Sequence, residues 1–187
     1  MLALRMAFFL VATLTLANPA PARAELRISD LDVYLNDHDI TVRLVVLGAV
    51  PATFAESLES GIPAHVRFTI ELWQYNRFWR DRLLVSKVVE RALVYNVVAK
   101  EYKIAPLRGE TTAPYVTKDL RDATRVLSEV SSLKLAGSSS LDPVEVFYVR
   151  VTTEAALRGE NTFLTRMSGA AEQTFRQSDY RTMMRIE

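Results

Sequence analysis

The chain of 187 residues contains no cysteine and only two histidines, His38 and His65. Without cysteine it can form no disulfide, carry out no thiol chemistry and build no thiolate metal site, so an apolar core alone has to hold the fold. The catalytic motifs G-x-S-x-G and H-E-x-x-H and the phosphate-binding loop are also absent, and two histidines make a histidine-based triad improbable. The sequence therefore predicts no catalytic residue, no cofactor and a protein that is not an enzyme.

The chain also has no large excess of positive or negative side chains, since it contains 23 Lys and Arg residues and 22 Asp and Glu residues. Removing Arg5 and Arg23 with the first 24 residues leaves 21 basic against 22 acidic side chains, a net charge of −1. Nucleic-acid binding requires a basic surface that attracts the phosphate backbone. We therefore expect no nucleic-acid partner.

Residues 1–24 have the three parts of a secretory signal peptide. Arg5 is the positive start, Met6–Leu16 is an apolar run, and Ala22-Arg23-Ala24 is an A-x-A cleavage site. The alternative is a membrane anchor, but a spanning helix needs about 20 apolar residues, and prolines follow this shorter run. We expect cleavage after Ala24, a periplasmic protein without a membrane span, and a single β-rich domain at 25–187.

Alternation of apolar and polar residues dominates the first part of this domain. Residues 26–36 and 40–46 alternate on either side of the turn cluster 36–39, which predicts a hairpin. Ala52–Ser60 changes to helical spacing, and Gly61 with Pro63 provides the stop signal of a short helix.

Further elements follow from the same patterns. Residues 65–80 alternate as a strand, and Leu83–Ile104 is rich in β-branched residues, which favours strand over a competing helix in its middle. An apolar stripe at 118–133, with Thr117 as N-cap, predicts the clearest helix, and two more strands are expected at 144–153 and 180–186. The predicted fold is α+β and mainly antiparallel β: a β-sandwich-like domain of six to seven strands with two short helices.

The most unusual segment holds both tryptophans of the chain. Continued alternation would place an aromatic and basic set on the strand face opposite Val66, Phe68 and Ile70, and interface patches favour these residue types. The alternative is that both faces of the strand are covered. We expect Trp73 to lie in the core and Trp79 at the surface. The candidate binding residues are Trp73, Tyr75, Arg77, Trp79 and Arg80.

Two short patterns suggest chemistry and have simpler explanations. Asp37-His38-Asp39 offers metal-ligand atoms, but adjacent turn residues point apart, so a solvated turn is the better interpretation. Ser131-x-x-Lys134 matches a serine-activating pattern without the companion motifs of that enzyme class, and we interpret it as the end of a helix. No metal site is predicted.

Several stretches together resemble a known bacterial family. They are Gly61-Ile62-Pro63 with Trp79 downstream, Ala92–Asn96 with Tyr102 downstream, the amphipathic segment Leu120–Leu133, and Tyr148-Val149-Arg150. From about Leu35 to Thr152 the chain is similar to domain of unknown function family 4390. The resemblance implies an exported proteobacterial protein with no assigned activity. It also implies a gene neighbourhood with a membrane sensor kinase of the nitrogen-regulation type, and hence a link to envelope sensing.

Three functions remain open on this basis. The leading hypothesis is a non-enzymatic periplasmic binding or accessory module that contacts a membrane sensor or another envelope protein. The alternative is a carrier of small apolar ligands with a pocket between the sheets. The third is an enzyme without a recognisable motif. A deep apolar pocket favours the carrier, an exposed aromatic patch favours a partner, and clustered carboxylates with shifted pKa values favour an enzyme.

Overall fold

The computed structural model describes residues 25–36 and 38–182. This part of the chain contains ten strands and three helices: β1 Arg27–Asn36, β2 Asp39–Leu47, α1 Ala52–Glu59, β3 Ala64–Gln74, β4 Arg82–Asn96, β5 Glu101–Arg108, β6 Tyr115–Thr117, α2 Leu120–Ser128, β7 Glu129–Gly137, β8 Val146–Leu157, α3 Phe163–Met167, β9 Ala171–Gln177 and β10 Arg181–Thr182. The predicted signal peptide, Asp37 and most of the predicted strand 180–186 lie outside the described residues.

The strands form two antiparallel sheets. One has the order β1-β2-β7, and the other has the order β10-β8-β3-β4-β5-β6, with β9 pairing beside β10 on the same edge of β8. The predicted α+β, mainly antiparallel, sandwich-like fold is thereby confirmed. The described residues contain more strands than the six or seven expected, because two predicted elements each divide and the short strands β6 and β9 had no clear pattern.

The core lies between the two sheets. Alternate residues of β3 point into it and are fully buried: Val66, Phe68 and Ile70. Phe54 and Leu58 of α1 and Ala123 and Leu127 of α2 join the same apolar cluster from the periphery. The other face of the large sheet, here called the outer face, points away from the small sheet. No helix in the described ranges is long and apolar enough to cross a bilayer.

The elements with strong local signals are confirmed. β1 and β2 pair as a hairpin, with Leu31 opposite Leu44. Helix α1 ends as its sequence predicts, because Gly61 has a φ of +83° that a residue with a side chain adopts only with strain. The Gly61 N–H donates to the Leu58 carbonyl and the Ile62 N–H donates to the Ser57 carbonyl, both at 2.9 Å. This pair of bonds is the Schellman end of a helix.

The helix predicted at 118–133 is wrong in its last third. Helix α2 ends at Ser128, and β7 begins at the next residue. In β7, Val130 pairs opposite Leu44 and Leu133 pairs opposite Val42, so a bulge places two core residues three positions apart. This spacing imitates a helical stripe, which is why the pattern was misleading.

Both ends of α2 are set by contacts that differ from the prediction. The N-cap is Asp119 rather than Thr117, since the Asp119 Oδ1 accepts a hydrogen bond from the Arg121 N–H at 2.8 Å. At the other end Arg91, on β4, donates through Nη1 to the carbonyls of Val126 (2.6 Å) and Glu129 (2.7 Å). A distant side chain therefore satisfies the carbonyls where the helix stops.

Two predicted strands are divided or shortened by local polar side chains. The strand expected at 65–80 stops at Gln74, and residues 75–81 form a loop. The segment Leu83–Ile104 is strand, as expected, but it is a hairpin of β4 and β5. Its turn is held by the Asn96 Oδ1, which accepts from the N–H groups of Val98 and Ala99, each at 3.0 Å.

The large sheet holds both edges of the small sheet through long cationic side chains. On one side Arg176 donates to the carbonyls of Ile28 and Ser29 of β1. On the other side the Lys87 ammonium donates to the Lys134 carbonyl of β7. Exposed strand edges invite pairing with other chains, and these contacts occupy part of both edges.

Candidate functional site

The predicted binding residues separate into a strand part and a loop part. Trp73 is the only one of the five that lies on a strand, and it lies on the outer face of β3. Tyr75, Arg77, Trp79 and Arg80 all belong to the loop at 75–81, which we call the β3–β4 tip. Their expected common strand face does not exist, because alternation ends with β3.

The β3–β4 tip has an ordered base. The Asn76 N–H donates to the Asp81 Oδ1 at 3.1 Å, and the Asn76 Oδ1 accepts from the Phe78 N–H, also at 3.1 Å. The Tyr148 hydroxyl donates to the Asp81 Oδ2 at 2.7 Å. Side chains therefore take the backbone N–H groups that a strand ladder would have used, which explains why β3 stops and how the loop keeps its shape.

Behind the tip lie four rings that we call the outer aromatic cluster: Trp73, Tyr75, Tyr148 and Tyr180. Trp73 and Tyr148 pair across β3 and β8 and stack with an interplanar angle of 7° at a centroid distance of 6.4 Å. Tyr180 contacts Tyr148 edge-on at 5.2 Å and Tyr75 at 5.0 Å. Offset and edge-on pairs of this kind stabilise beyond the area that they bury.

Charged groups complete the cluster. The Arg150 guanidinium lies 5.0 Å from the Trp73 ring centroid and 5.8 Å from that of Tyr148, a cation–π arrangement. The Trp73 indole N–H donates to the Glu71 carboxylate at 2.9 Å. Trp73 is consequently half-buried on the outer face and is not part of the core, contrary to the prediction.

The electrostatics of the base follow from these contacts. Burial and the hydrogen bond to Asp81 raise the pKa of Tyr148 to about 12. The Asn76 N–H and, after it, the Tyr148 hydroxyl hold the pKa of the Asp81 carboxyl below its ordinary value. Across the neutral range Tyr148 thus remains a donor and Asp81 remains an acceptor.

The end of the tip is exposed. Phe78 is 87% exposed and Trp79 is 81% exposed, in agreement with the expected surface position of Trp79. Arg77, Arg80 and Arg82 are exposed on either side of them. Two large apolar rings held in water and flanked by three cations form a surface suited to contact another component.

A second feature is an apolar cleft of about 170 Å³ between the two sheets. It is lined by Val33 and Leu35 of β1, Leu72 of β3 and Val149 of β8. Arg181 of β10 also lines it and donates to the Val33 carbonyl at 2.9 Å. This is the kind of space that a small apolar molecule could occupy.

Polar pockets are present on other parts of the large sheet. One contains His65, Arg67, Glu90 and Glu154, with the His65 Nδ1 3.8 Å from the Glu90 carboxylate. Among the residues that the structure describes, no three His, Asp or Glu side chains converge as ligands for a metal ion.

Ser131, Lys134 and His38, which belong to the two short patterns considered in the sequence, lie in or beside the small sheet. Lys134 forms an ion pair with Asp39 across β2 and β7. Ser131 belongs to β7, so the S-x-x-K pattern lies on a strand and the interpretation as a helix end is wrong. His38 occupies the β1–β2 turn with a φ of +69°.

Comparison of the sequence with known protein families gives one match, which covers most of the chain. Residues 23–158 match the family described as Domain of unknown function (DUF4390). The chain belongs to this family. No curated protein and no solved structure matches the chain.

The DUF4390 match includes the β3–β4 tip, the Tyr148 ring beneath it and the apolar walls of the cleft. It ends just after β8, so α3, β9 and β10 lie outside it. Tyr180 completes the outer aromatic cluster and Arg181 lines the cleft. Both therefore lie in the segment after residue 158, which the family match does not cover.

Sequence reasoning missed several residues of the site, among them Phe78, Tyr148 and Asp81. Phe78 was left out because alternation places it on the opposite face from Trp79, whereas a loop has no such faces. Tyr148 and Asp81 were missed because only the pairing of β3 with β8 brings the Tyr148 hydroxyl to the loop. The adjacent pair Phe78-Trp79 between arginines was visible in the sequence and could have identified the tip.

Proposed function

We propose that this chain is a non-enzymatic binding or accessory module of the cell envelope that works through the β3–β4 tip. The observation that carries the proposal is the exposure of Phe78 (87%) and Trp79 (81%) on a loop whose base is held by Asn76 and Asp81. In this proposal the signal peptide directs the chain to the periplasm.

The energetics of the tip support a binding role. Burying a large apolar side chain stabilises by roughly 1.5–3 kcal/mol, and Phe78 and Trp79 leave this free energy unused within the described chain. Because the loop base is already ordered, a partner that covers both rings would have little backbone entropy to offset. Binding energy concentrated in a few aromatic and arginine side chains is typical of interface hot spots.

The partner in this proposal is a component of the envelope. The family resemblance implies a membrane sensor kinase encoded nearby, so the outer region of such a sensor is the protein candidate. We assign no catalytic step to the chain. Among the residues that the structure describes, the most enclosed ion pair is Arg91 with Glu110, and it holds the end of helix α2.

The test is photo-crosslinking in the native exporting host, with a photoreactive phenylalanine analogue at position 78. The matched control carries the analogue at Phe175, which is 74% exposed but lies on β9. We expect a defined crosslinked species from position 78 only. Equal products from both positions would contradict the proposal, and so would the absence of any product from position 78, whether with protein or with lipid. Intact mass of the same preparation checks for the N-terminus at Glu25.

A second candidate function is a carrier of small apolar ligands, supported by the apolar cleft between the sheets. At about 170 Å³ the cleft suits a small apolar body rather than a long acyl chain. The Val33→Phe substitution should fill it and weaken binding of an apolar fluorescent dye, while Phe78→Ser should not. Dye binding that is unaffected by Val33→Phe would exclude the cleft as the carrier site.

A further inference from the structure

We infer that the β3–β4 tip docks on a phospholipid surface with negatively charged headgroups, with Phe78 and Trp79 entering the interfacial layer. This inference rests on the proposed function and names the component that the tip contacts directly. A protein partner of the tip is the competing outcome, and the experiment below separates the two.

The two rings at the end of the tip have the chemistry of residues that lie at a membrane interface. Tryptophan favours the boundary between headgroups and acyl chains, where its ring is apolar and its N–H can donate to a polar group. The Trp73 N–H donates to Glu71, whereas in the described part of the chain the Trp79 N–H donates to no protein atom. Phe78 beside it adds an apolar ring without a polar group to satisfy.

Positive charges lie on both sides of the two rings along the tip. Arg77 precedes the aromatic pair and Arg80 follows it, with Arg82 two residues later, and all three are exposed. When the rings enter the interface, the guanidinium groups on both sides can remain at the depth of the phosphates. Arginine forms charge-assisted, often bidentate, hydrogen bonds with phosphate oxygens.

The positive charge of the tip is local. The whole chain is nearly neutral, with 23 basic and 22 acidic side chains, so three clustered arginines are not a consequence of its composition. The one carboxylate in this segment, Asp81, is bound by the Asn76 N–H and the Tyr148 hydroxyl at the base of the loop. The exposed end of the tip therefore presents cations to an approaching surface.

Another exposed aromatic residue provides the contrast. Phe175 on β9 is 74% exposed, but its neighbour Arg176 donates to the carbonyls of Ile28 and Ser29 and is committed to the fold. Phe175 thus has comparable apolar exposure, but no second ring lies next to it in the chain and its flanking cation is bound to the backbone of β1. It serves as the matched control for the tip.

The test uses the purified, processed chain and vesicles of phosphatidylcholine with or without an equimolar amount of phosphatidylglycerol. The Trp73→Phe variant leaves Trp79 as the only tryptophan. We expect its emission to shift to shorter wavelength, and its quenching by acrylamide to fall, with the anionic vesicles. Sedimentation with these vesicles should weaken about five-fold for each of Arg77→Ser and Arg80→Ser, because one basic residue near such a surface contributes about that factor.

Replacing both rings, as Phe78→Ser with Trp79→Ser, should reduce sedimentation by at least about ten-fold, whereas Phe175→Ser should leave it unchanged. Equal sedimentation of the double variant and the unsubstituted chain would overturn the inference. So would an unshifted Trp79 emission together with a protein crosslinked from position 78, in which case the proposed binding function stands. If position 78 yields no crosslink and the vesicles give no shift, both proposals fail.

Discussion

The Arg91 side chain joins three parts of the fold, so its removal should be unusually costly. Its Nε donates to the Glu110 carboxylate at 2.7 Å, Nη2 donates to the other oxygen, and Nη1 donates to two carbonyls at the end of helix α2. The two side chains are only 11% and 19% exposed. Removing one partner of a buried ion pair leaves the other charge unpaired away from water, which destabilises the fold strongly.

The Arg91→Met substitution keeps the apolar stem and removes all of these bonds. It leaves the Glu110 carboxylate without its arginine and removes the hydrogen bonds to the Val126 and Glu129 carbonyls, for which we expect a loss of about 3–5 kcal/mol in the free energy of unfolding. For a chain of this size such a loss lowers the melting temperature by roughly 6–20 °C. Glu110→Gln should cost less, about 1–3 kcal/mol, because Arg91 keeps its bonds to the carbonyls.

Urea unfolding followed by tryptophan fluorescence and circular dichroism measures these losses. In the double variant Arg91→Met with Glu110→Gln, no charge remains unpaired, so the combined loss should be smaller than the sum of the single losses. Arg125→Met is the control, since it breaks an exposed pair with Asp122 on the same helix and should change the urea midpoint much less. A small effect of Arg91→Met, or strict additivity with Glu110→Gln, would refute the reasoning.

Three further outcomes are expected. A Cβ at Gly109 would overlap the Val88 carbonyl, whereas at Gly61 it would make an ordinary contact with the Tyr95 carbonyl oxygen at 4.0 Å, so Gly109→Ala should unfold the chain while Gly61→Ala costs only about 1–2 kcal/mol of left-handed strain in urea unfolding. Because the pKa of Tyr148 is raised from 10.0 to about 12, this side chain should stabilise the fold fully below pH 10 and lose that contribution as the pH rises through about 12. Tyrosinate absorbance follows the titration, and comparison with the unfolding of Tyr148→Phe measures the loss of stability. Trp73→Ala should lower the free energy of unfolding in urea by about 2 kcal/mol, and Trp79→Ala by less than about 0.5 kcal/mol, since only Trp73 stacks within the fold; similar losses would contradict this.

Local patterns in the sequence were sufficient for the elements whose determinants lie within a few residues. Helix α1 has its apolar pair, its glycine and its proline within the span 52–63, and the β1–β2 hairpin has two alternating runs around one turn. The alternating residues of β3 and β8 that enter the core were likewise evident, because burial of one sheet face imposes a period of two. The exposed position of Trp79 followed from the polar residues around it.

Other features depended on contacts between distant segments. The end of helix α2 depends on a bulge against β2 and on Arg91 from β4, neither of which leaves a signal near Ser128. The base of the tip depends on the strand pairing that sets Tyr148 beside Trp73 and brings its hydroxyl to Asp81. Periodicity reports which face of a strand is buried, but strand register and hydrogen bonds between side chain and distant backbone arise only when the chain has folded, so only the tertiary structure decided them.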